Sequence, residues 1–250
     1  AAASKAARRG IVIAPGTFEL YLQLSGSKAD PEHRLDYVAW ARYAVTLRPG
    51  NADLWANLAV EFSQEYFSDA AIRAGKRAQL LDPLNEASHN GLAADLYRSR
   101  YIDDARRACY RGIIAYPYIA ELKLIAAETE LCHGNFEKGW ALFEERLDPR
   151  MSPKRIALPP LWENWEEDPG HLFIAAEQGI GDEYVFLSFL PLFAEKVKQL
   201  TIECDERNLP LFTRSFPDHK FVARHIRADE QDRAVFDYSN WPGRQDVDHA

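Results

Sequence analysis

The chain has few features that would place it in a membrane, outside the cell or on a nucleic acid. Its 250 residues contain no apolar run near the ~18 residues that a membrane helix needs. The apolar run Ile11–Ala14 is too short for the core of a signal peptide. The net charge of -8 argues against a nucleic-acid surface, which requires a basic face. We therefore expect no membrane span and no nucleic-acid partner.

Cysteine is also scarce. Cys109, Cys132 and Cys204 are odd in number and lack the spacing of metal ligands. Reduced thiols in a cytoplasmic protein fit this pattern best. We therefore predict a cytoplasmic protein with no disulfide framework and no metal.

Prolines recur with a period of 34 residues, at Pro15, Pro49, Pro83 and Pro117. Small residues repeat with the same period, in columns that let two helices approach closely while the proline ends the second helix. Three such columns are Ala7, Ala41, Gly75 and Cys109; Gly10, Ala44, Ala78 and Gly112; and Ala3, Tyr37, Ala71, Ala105 and Gly139. A period of this length indicates stacked helical hairpins.

The pattern is that of the tetratricopeptide repeat. Its consensus columns are filled by Trp55, Leu58, Ala59, Phe62, Ala71, Ala78 and Pro83. We predict an α-solenoid over residues 1–147 with about four repeats, the first one partial. Residues 1–14 match only a second helix, so we expect the chain to begin within the array. Two residues in these columns are predicted to serve packing: Cys109 as a core thiol, and His89 as a substitute for tryptophan.

Stacked hairpins form a continuous core and a groove lined by their first helices. The groove should include Asp53, Gln64, Asn90, Tyr97, Arg98 and Glu128. One interpretation is a surface that binds a peptide or protein; the other is a solvated face on a spacer. No ladder of identical polar residues decides between them, since Gly91 stands where the previous repeat has Asn57.

Residues 148–170 are predicted to be a linker, because prolines break the helical pattern there. The linker ends in an acidic turn. A metal site at this turn is the weaker interpretation, because the acids lack regular ligand spacing and a solvated loop explains them. The acids are Glu163, Glu166, Glu167 and Asp168.

Residues 171–250 are predicted to form an α/β domain. An apolar run, Leu172–Ala176, is followed by a glycine-rich loop, a helical stretch over 184–198 and a second apolar run, Leu200–Cys204. This order indicates a βαβ unit, whose first turn is where such folds bind ligands. Further strands are expected at 220–222 and 234–238.

The loop Glu177–Glu183 allows two chemical interpretations beyond simple helix capping by Asp182. A dinucleotide site is favoured by Glu203, about 20 residues on, but Tyr184 replaces the third glycine of that motif. The second interpretation is a carboxylate that acts as a base, for which Asp182 is the candidate.

Several motifs resemble a bacterial family in which a tetratricopeptide array is fused to a GT-B glycosyltransferase domain, similar to heptosyltransferases and more distantly to O-GlcNAc transferase. The motifs are Gly134–Trp140, Glu145-Arg146, Pro160–Trp162, Glu177–Glu183, Leu200–Arg207, Leu211-Phe212 and Arg214–Pro217. The resemblance implies that residues 171–250 are a partial Rossmann-like lobe, the acceptor side of a sugar-transfer site.

By the same resemblance, Asp182 would be the catalytic base that removes the acceptor hydroxyl proton. Gln178 and Glu183 would orient substrate groups, while Gly179 and Gly181 would let backbone amides approach them. A sugar nucleotide would be the donor substrate, and no cofactor is implied. The lobe that binds the donor is missing, so this chain should not transfer sugar by itself. The alternative is a non-catalytic scaffold for protein–protein interaction.

Overall fold

A computed structural model describes residues 7, 9, 11–14, 16–25, 34–148, 153–177, 179–224, 226–228, 234–239 and 246–249. The chain divides into two compact units, residues 1–151 and 152–250. Within the described part, no helix has the length and apolar character needed to cross a membrane.

The first unit is a series of helical hairpins. Its helices are α1 (Phe18–Ser25), α2 (Arg34–Leu47), α3 (Ala52–Gln64), α4 (Ser68–Leu81), α5 (Glu86–Arg98), α6 (Ile102–Ala115), α7 (Ala120–Cys132) and α8 (Phe136–Phe143), followed by a 3-10 turn, Glu144–Leu147. Successive helices pack in pairs, α1 on α2, α3 on α4, α5 on α6 and α7 on α8, and each pair packs on the next. The predicted repeat array is therefore confirmed.

The small-residue columns lie where the helices meet. Ala41 and Cys109 are fully buried, and a Cβ placed on Gly112 would lie 2.7 Å from Leu122 Cδ1. A Cβ on Gly139 would lie 2.6 Å from Leu131 Cδ2. These contacts leave no room for a larger side chain, so the 34-residue spacing of small residues sets the helix-to-helix distance.

His89 occupies the place of the consensus tryptophan and makes the same hydrogen bond. Trp55 Nε1 donates to the Pro49 carbonyl at 2.9 Å, and His89 Nε2 lies 2.9 Å from the Pro83 carbonyl one repeat later. Because a carbonyl only accepts, Nε2 carries the proton. The packing role predicted for His89 is confirmed. Cys109 is likewise a core thiol, because it is fully buried, and this burial raises its pKa to about 12.

The turns inside the second, third and fourth hairpins each contain one residue in the left-handed conformation. Tyr66 has a φ of 62°, Arg100 a φ of 64° and Gly134 a φ of 76°. These positions are 34 residues apart, so the same turn recurs in three repeats. Only the third has glycine, which adopts this conformation without steric cost, whereas a side chain costs about 1–2 kcal/mol.

The last hairpin is joined by a fully buried carboxylate, Glu130. It accepts hydrogen bonds from Tyr110 Oη at 2.6 Å, Asn135 Nδ2 at 2.6 Å and Arg106 Nε at 3.0 Å, and Lys138 Nζ lies 3.2 Å away. Burial by itself would raise the pKa of Glu130, but these four partners outweigh it and lower the pKa to about 2. The ionised form therefore links α6, α7 and α8.

The second unit contains two small sheets. Its elements are β1 (Lys154–Ile156), β2 (His171–Ile174), α9 (Ile180–Leu187), α10 (Leu190–Lys196), β3 (Gln199–Cys204), α11 (Leu209–Ser215), β4 (Lys220–Ala223), β5 (Ile226–Ala228) and β6 (Ala234–Asp237). One sheet has the order β2-β3-β4, all parallel. The other has the order β1-β6-β5, with β5 antiparallel to β6. The predicted βαβ unit is present as β2, α9–α10 and β3.

Two expectations for this unit need correction. The Rossmann-like, GT-B-type lobe is not supported, because the strands form two separate small sheets, one of them mixed, instead of one parallel sheet. The single helix expected over 184–198 is two helices. Pro191 lies in the first turn of α10, and its ring and missing N–H prevent the chain from continuing α9.

Strand β1 lies within the predicted linker. It pairs with β6, so this part of the linker belongs to the second unit.

Replacing Arg100 with glycine should stabilise the repeat unit by about 0.5–1 kcal/mol, because it removes a side chain from a left-handed position. Urea unfolding midpoints of the two proteins measure this. Arg100→Ala is the matched control, since it removes the same side chain but keeps a Cβ; equal stabilisation by alanine would show that the turn conformation is not the cause.

Glu130→Gln should destabilise the protein by about 2 kcal/mol at pH 7, because it removes the charge that holds Arg106 and Lys138. The pKa of Glu130 is lowered on folding, so its contribution is complete above about pH 4.5 and is lost as the pH falls towards about 2. Urea titrations at pH 7 and about pH 3.5 should therefore show the difference shrinking. The exposed neighbour Glu137→Gln, which leaves Glu130 and its four partners in place, is the control. A loss of the same size and pH dependence in this control would contradict the role given to Glu130.

Candidate functional site

The predicted groove residues lie together on successive first helices of the hairpins. Asp53 and Gln64 belong to α3, Asn90, Tyr97 and Arg98 to α5, and Glu128 to α7. The 34-residue period places Arg98 one repeat after Gln64, so both end a first helix at the same edge of the face. We call the surface formed by these six residues the first-helix groove.

Polar contacts between repeats organise this groove. Arg98 Nη1 donates to Asp95 Oδ1 at 2.9 Å and also to Ser63 Oγ of the previous repeat. Asn85, which caps α5 through the Ser88 amide, also donates from Nδ2 to Asp53 Oδ1 at 2.6 Å. The side chains that line the groove are therefore held in place by neighbours from the adjacent repeat.

Two carboxyl groups lie deeper. Burial raises the pKa of Glu128, and Tyr97 of the preceding repeat opposes part of that rise. Burial similarly raises the pKa of Asp95, opposed by Ser63 and Arg98. The groove thus contains carboxyl groups that are only partly hydrated, which strengthens any hydrogen bond that a ligand makes to them.

The groove also has exposed donors and open space. The side chain of Arg98 is 60% exposed despite its ion pair, and Gln64 is exposed. On α5, Asn90 is partly exposed, and a Cβ added to its neighbour Gly91 would meet no atom within 4 Å. Amide and guanidinium groups beside free volume can bind the backbone and carboxylates of an extended peptide.

A surface cleft of about 480 Å³, which the sequence analysis did not predict, lies at the turns of the second and third hairpins. Its lining includes Tyr66, Phe67, Arg73, Ser99 and Tyr101. The cleft exists because successive turns expose aromatic side chains at neighbouring positions. Nothing in the 34-residue consensus marks Tyr66, Phe67 or Tyr101, since these aromatic side chains fill exposed columns.

The loop of the second unit places its residues as follows. Asp182 is the third residue of α9, and its Oδ2 accepts a hydrogen bond from the Gly179 amide at 3.0 Å. Gly179 and Gly181 are exposed, and Asp182 is partly exposed. Gln178 lies outside the described residues. The structure thus shows the capping contact of Asp182; its role as a base stays a prediction.

Glu183 is engaged within the protein. Its Oε1 accepts from the Asp205 amide and from Arg224 Nη2, both at 2.8 Å, and its Oε2 accepts from Asn208 Nδ2 at 2.7 Å. The side chain is 8% exposed. Glu183 therefore ties α9 to the ends of β3 and β4, and this geometry gives it a structural task beside the substrate contact predicted for it.

A buried polar cluster lies at the carboxyl ends of the strands. Glu203 Oε2 accepts from the Ala176 amide at 3.0 Å and from Tyr238 Oη at 3.1 Å. Arg155 donates to Tyr238 Oη and to the Ala176 carbonyl, both at 2.7 Å. Burial raises the pKa of Glu203. This carboxylate links the two sheets, so it is not placed to bind a ribose as the dinucleotide interpretation requires.

No cluster of three or more histidine, cysteine, aspartate or glutamate side chains that could hold a metal ion occurs among the residues whose placement is described. The acidic turn contains local contacts instead. Asn164 Nδ2 donates to Glu167 Oε1 at 2.7 Å, and Asp168 pairs with Lys198 at 2.8 Å.

Comparisons with known proteins bear on the fold. No family model matches the chain. Protein FlbA of Caulobacter vibrioides is 31% identical over 117 residues, which are 45% of this chain and 20% of FlbA. The chain therefore matches only about a fifth of the length of that relative.

Solved structures agree with the repeat architecture. One crystal structure of MamA has a TM-score of 0.53 at 18% identity, covering 59% of this chain and 86% of MamA. A second has a TM-score of 0.52 at 19% identity, covering 58% and 79%. Such identities show the fold alone, and these likenesses give no support to a fused GT-B domain. The repeat unit of this chain has the tetratricopeptide fold.

Proposed function

We propose that the chain is a protein-interaction scaffold whose first-helix groove binds an extended segment of a partner protein. The observation that carries this proposal is the set of cross-repeat contacts in the groove. Arg98 with Ser63, and Asn85 with Asp53, hold polar groups of two successive repeats in fixed positions. A surface arranged in advance loses less entropy on binding.

The chemistry of the groove favours a peptide in extended form. Such a peptide has unpaired backbone N–H and C=O groups, and the amides of Gln64 and Asn90 can both donate and accept. Arg98 adds a charged donor suited to a carboxylate. The free volume beside Gly91 leaves room for a side chain of the bound segment. These features support the interaction scaffold over a solvated spacer.

Changing Asn90, Tyr97 and Arg98 together to alanine should weaken binding of a groove ligand by about 10-fold or more, because it removes both donors and the ordered ring. The probe is the strongest binder from an array of peptides about 12 residues long, measured by fluorescence anisotropy. Glu137→Ala, in the exposed first turn of α8, is the control and should bind as the parent does. Binding that survives the triple change would contradict the groove assignment.

A second candidate function is the sugar transfer implied by the resemblance, in which this chain would supply the acceptor side. What favours it is the exposure of Gly179, Gly181 and Asp182 around the first turn of α9. The geometry also permits a role in capping alone, because Asp182 accepts the Gly179 amide. Two substitutions separate these roles.

In the full-length natural protein, Asp182→Asn keeps an oxygen that can accept the Gly179 amide but removes the base. If Asp182 is catalytic, this change should abolish release of nucleotide from a panel of sugar nucleotides and leave the melting temperature unchanged. If Asp182 only caps, the asparagine variant should behave as the parent, and Asp182→Ala should cost about 0.5–1 kcal/mol without any effect on turnover.

A further inference from the structure

The second helices of the hairpins present a surface whose charge differs from that of the whole protein. Basic side chains are exposed in the middle of three of these helices, and we call them the basic band: Arg42 on α2; Arg73, Lys76 and Arg77 on α4; and Arg107 and Arg111 on α6. On α4 and α6 they recur at helical spacings of three and four residues, so each set lies on one side of its helix. The 34-residue period aligns Arg73 with Arg107 and Arg77 with Arg111.

Most of this charge is not neutralised within the fold. Arg107 pairs with Asp104. The other five residues of the basic band form no ion pair with any residue that the structure describes. The acidic residues of these helices, Asp36, Asp69, Asp103 and Asp104, lie in the first turns, where they stabilise the positive end of the helix.

Apolar side chains form a second band beside the first, at the carboxyl ends of the same helices. Leu80 is 75% exposed and Ile114 83% exposed, and they are separated by one repeat. In the loops that follow, Leu84 is 70% exposed and Tyr118 53% exposed, again one repeat apart. We call these four residues the apolar band.

Contacts between the two loops hold the apolar band together. The Tyr116 hydroxyl donates to the Leu84 carbonyl, and the Tyr118 hydroxyl donates to Glu86 Oε2 at 2.6 Å. The rings of Tyr116 and Tyr118 are 6.1 Å apart. The band is therefore an ordered surface, and exposure of large side chains in two successive repeats is unusual for a face that contacts only water.

We propose that this second-helix face binds an acidic amphipathic helix of a partner protein. The apolar ridge of that helix would cover the apolar band, and its carboxylates would lie over the basic band. This is the helix-in-groove mode of recognition, with apolar anchors at helical spacing and complementary charge that fixes the orientation. The proposal concerns a surface on the opposite helices from the first-helix groove and does not depend on it.

The arrangement favours a protein helix over an anionic membrane. Basic and apolar groups are segregated into adjacent bands, as the two faces of an acidic amphipathic helix require. An interfacial membrane surface needs a broad apolar area surrounded by basic groups. Residues 152–250 contain 18 acidic and 11 basic residues, so most of the net charge of -8 lies in the second unit and would repel an anionic bilayer.

The test uses a fluorescein-labelled peptide of about 16 residues with leucines along one helical face and glutamates beside them. Its control is a scrambled peptide of the same composition. Anisotropy titrations of the whole chain should show saturable binding of the patterned peptide, weakened between about 50 mM and about 300 mM NaCl, and at least about 10-fold weaker binding of the scrambled one. Equal binding of both peptides would overturn the proposal, because it would show charge attraction without a docking surface.

Three variants then locate the surface. Arg73→Glu, Arg77→Glu and Arg111→Glu together should weaken binding about 30-fold or more, and Leu80→Ser with Ile114→Ser about 10-fold. The triple alanine change in the first-helix groove should leave binding of the patterned peptide unchanged. Weaker binding of this peptide to the triple alanine variant would overturn the proposal. All these side chains are exposed except those of Asn90 and Tyr97, and circular dichroism checks the fold.

Vesicles of phosphatidylserine and phosphatidylcholine give the remaining comparison. The chain should not sediment with them. The proposal would be overturned if two results came together: the parent chain sediments with the vesicles while the arginine variant does not, and the patterned peptide does not bind. These results would show that the face binds lipid.

Discussion

The repeat unit depends on how closely its helices approach one another. Small residues every 34 positions allow that approach, and at Gly112 and Gly139 a single added carbon would collide with a leucine of a neighbouring helix. Close packing fixes the tilt between hairpins, and this brings Ser63 within reach of Arg98 and Asn85 within reach of Asp53. The polar surface of the groove is therefore a result of the steric fit beneath it.

The second unit is stabilised differently. Its two sheets are small, and a single small sheet buries too little apolar surface to be stable by itself. Buried charged and polar groups connect the elements: Glu203 joins Ala176 to Tyr238, and Glu183 joins α9 to Arg224. Removing one member of such a pair leaves the other desolvated without a partner. We expect this unit to tolerate substitution less well than the helices of the repeats.

Much of the repeat unit was predictable because each repeat confirms the others. One 34-residue period reveals the spacing of the prolines, the columns of small residues and the substitution of His89 for tryptophan. The second unit has no period, and its strands β1 and β5 are only three residues long, too short to show an alternating pattern. The break at Pro191 had a signal, but the apolar pattern over 184–198 concealed it. The partners of Glu183 and Glu203 come from distant segments, and no local pattern contains that information.

The contacts between repeats also determine how the array opens. Asn85 reaches back to Asp53, while Tyr118 reaches back to Glu86, so the hairpin α5–α6 is bonded to the one before it and to the one after it. In a linear array each repeat is stabilised by its nearest neighbours only. Amide protons of α5 should therefore exchange with solvent slowly, because opening this hairpin breaks contacts with both of its neighbours. A partner segment bound across α3, α5 and α7 would also slow amide exchange in the hairpins next to those it contacts. Occupancy of the groove would then be visible as slower exchange in hairpins that the ligand does not touch.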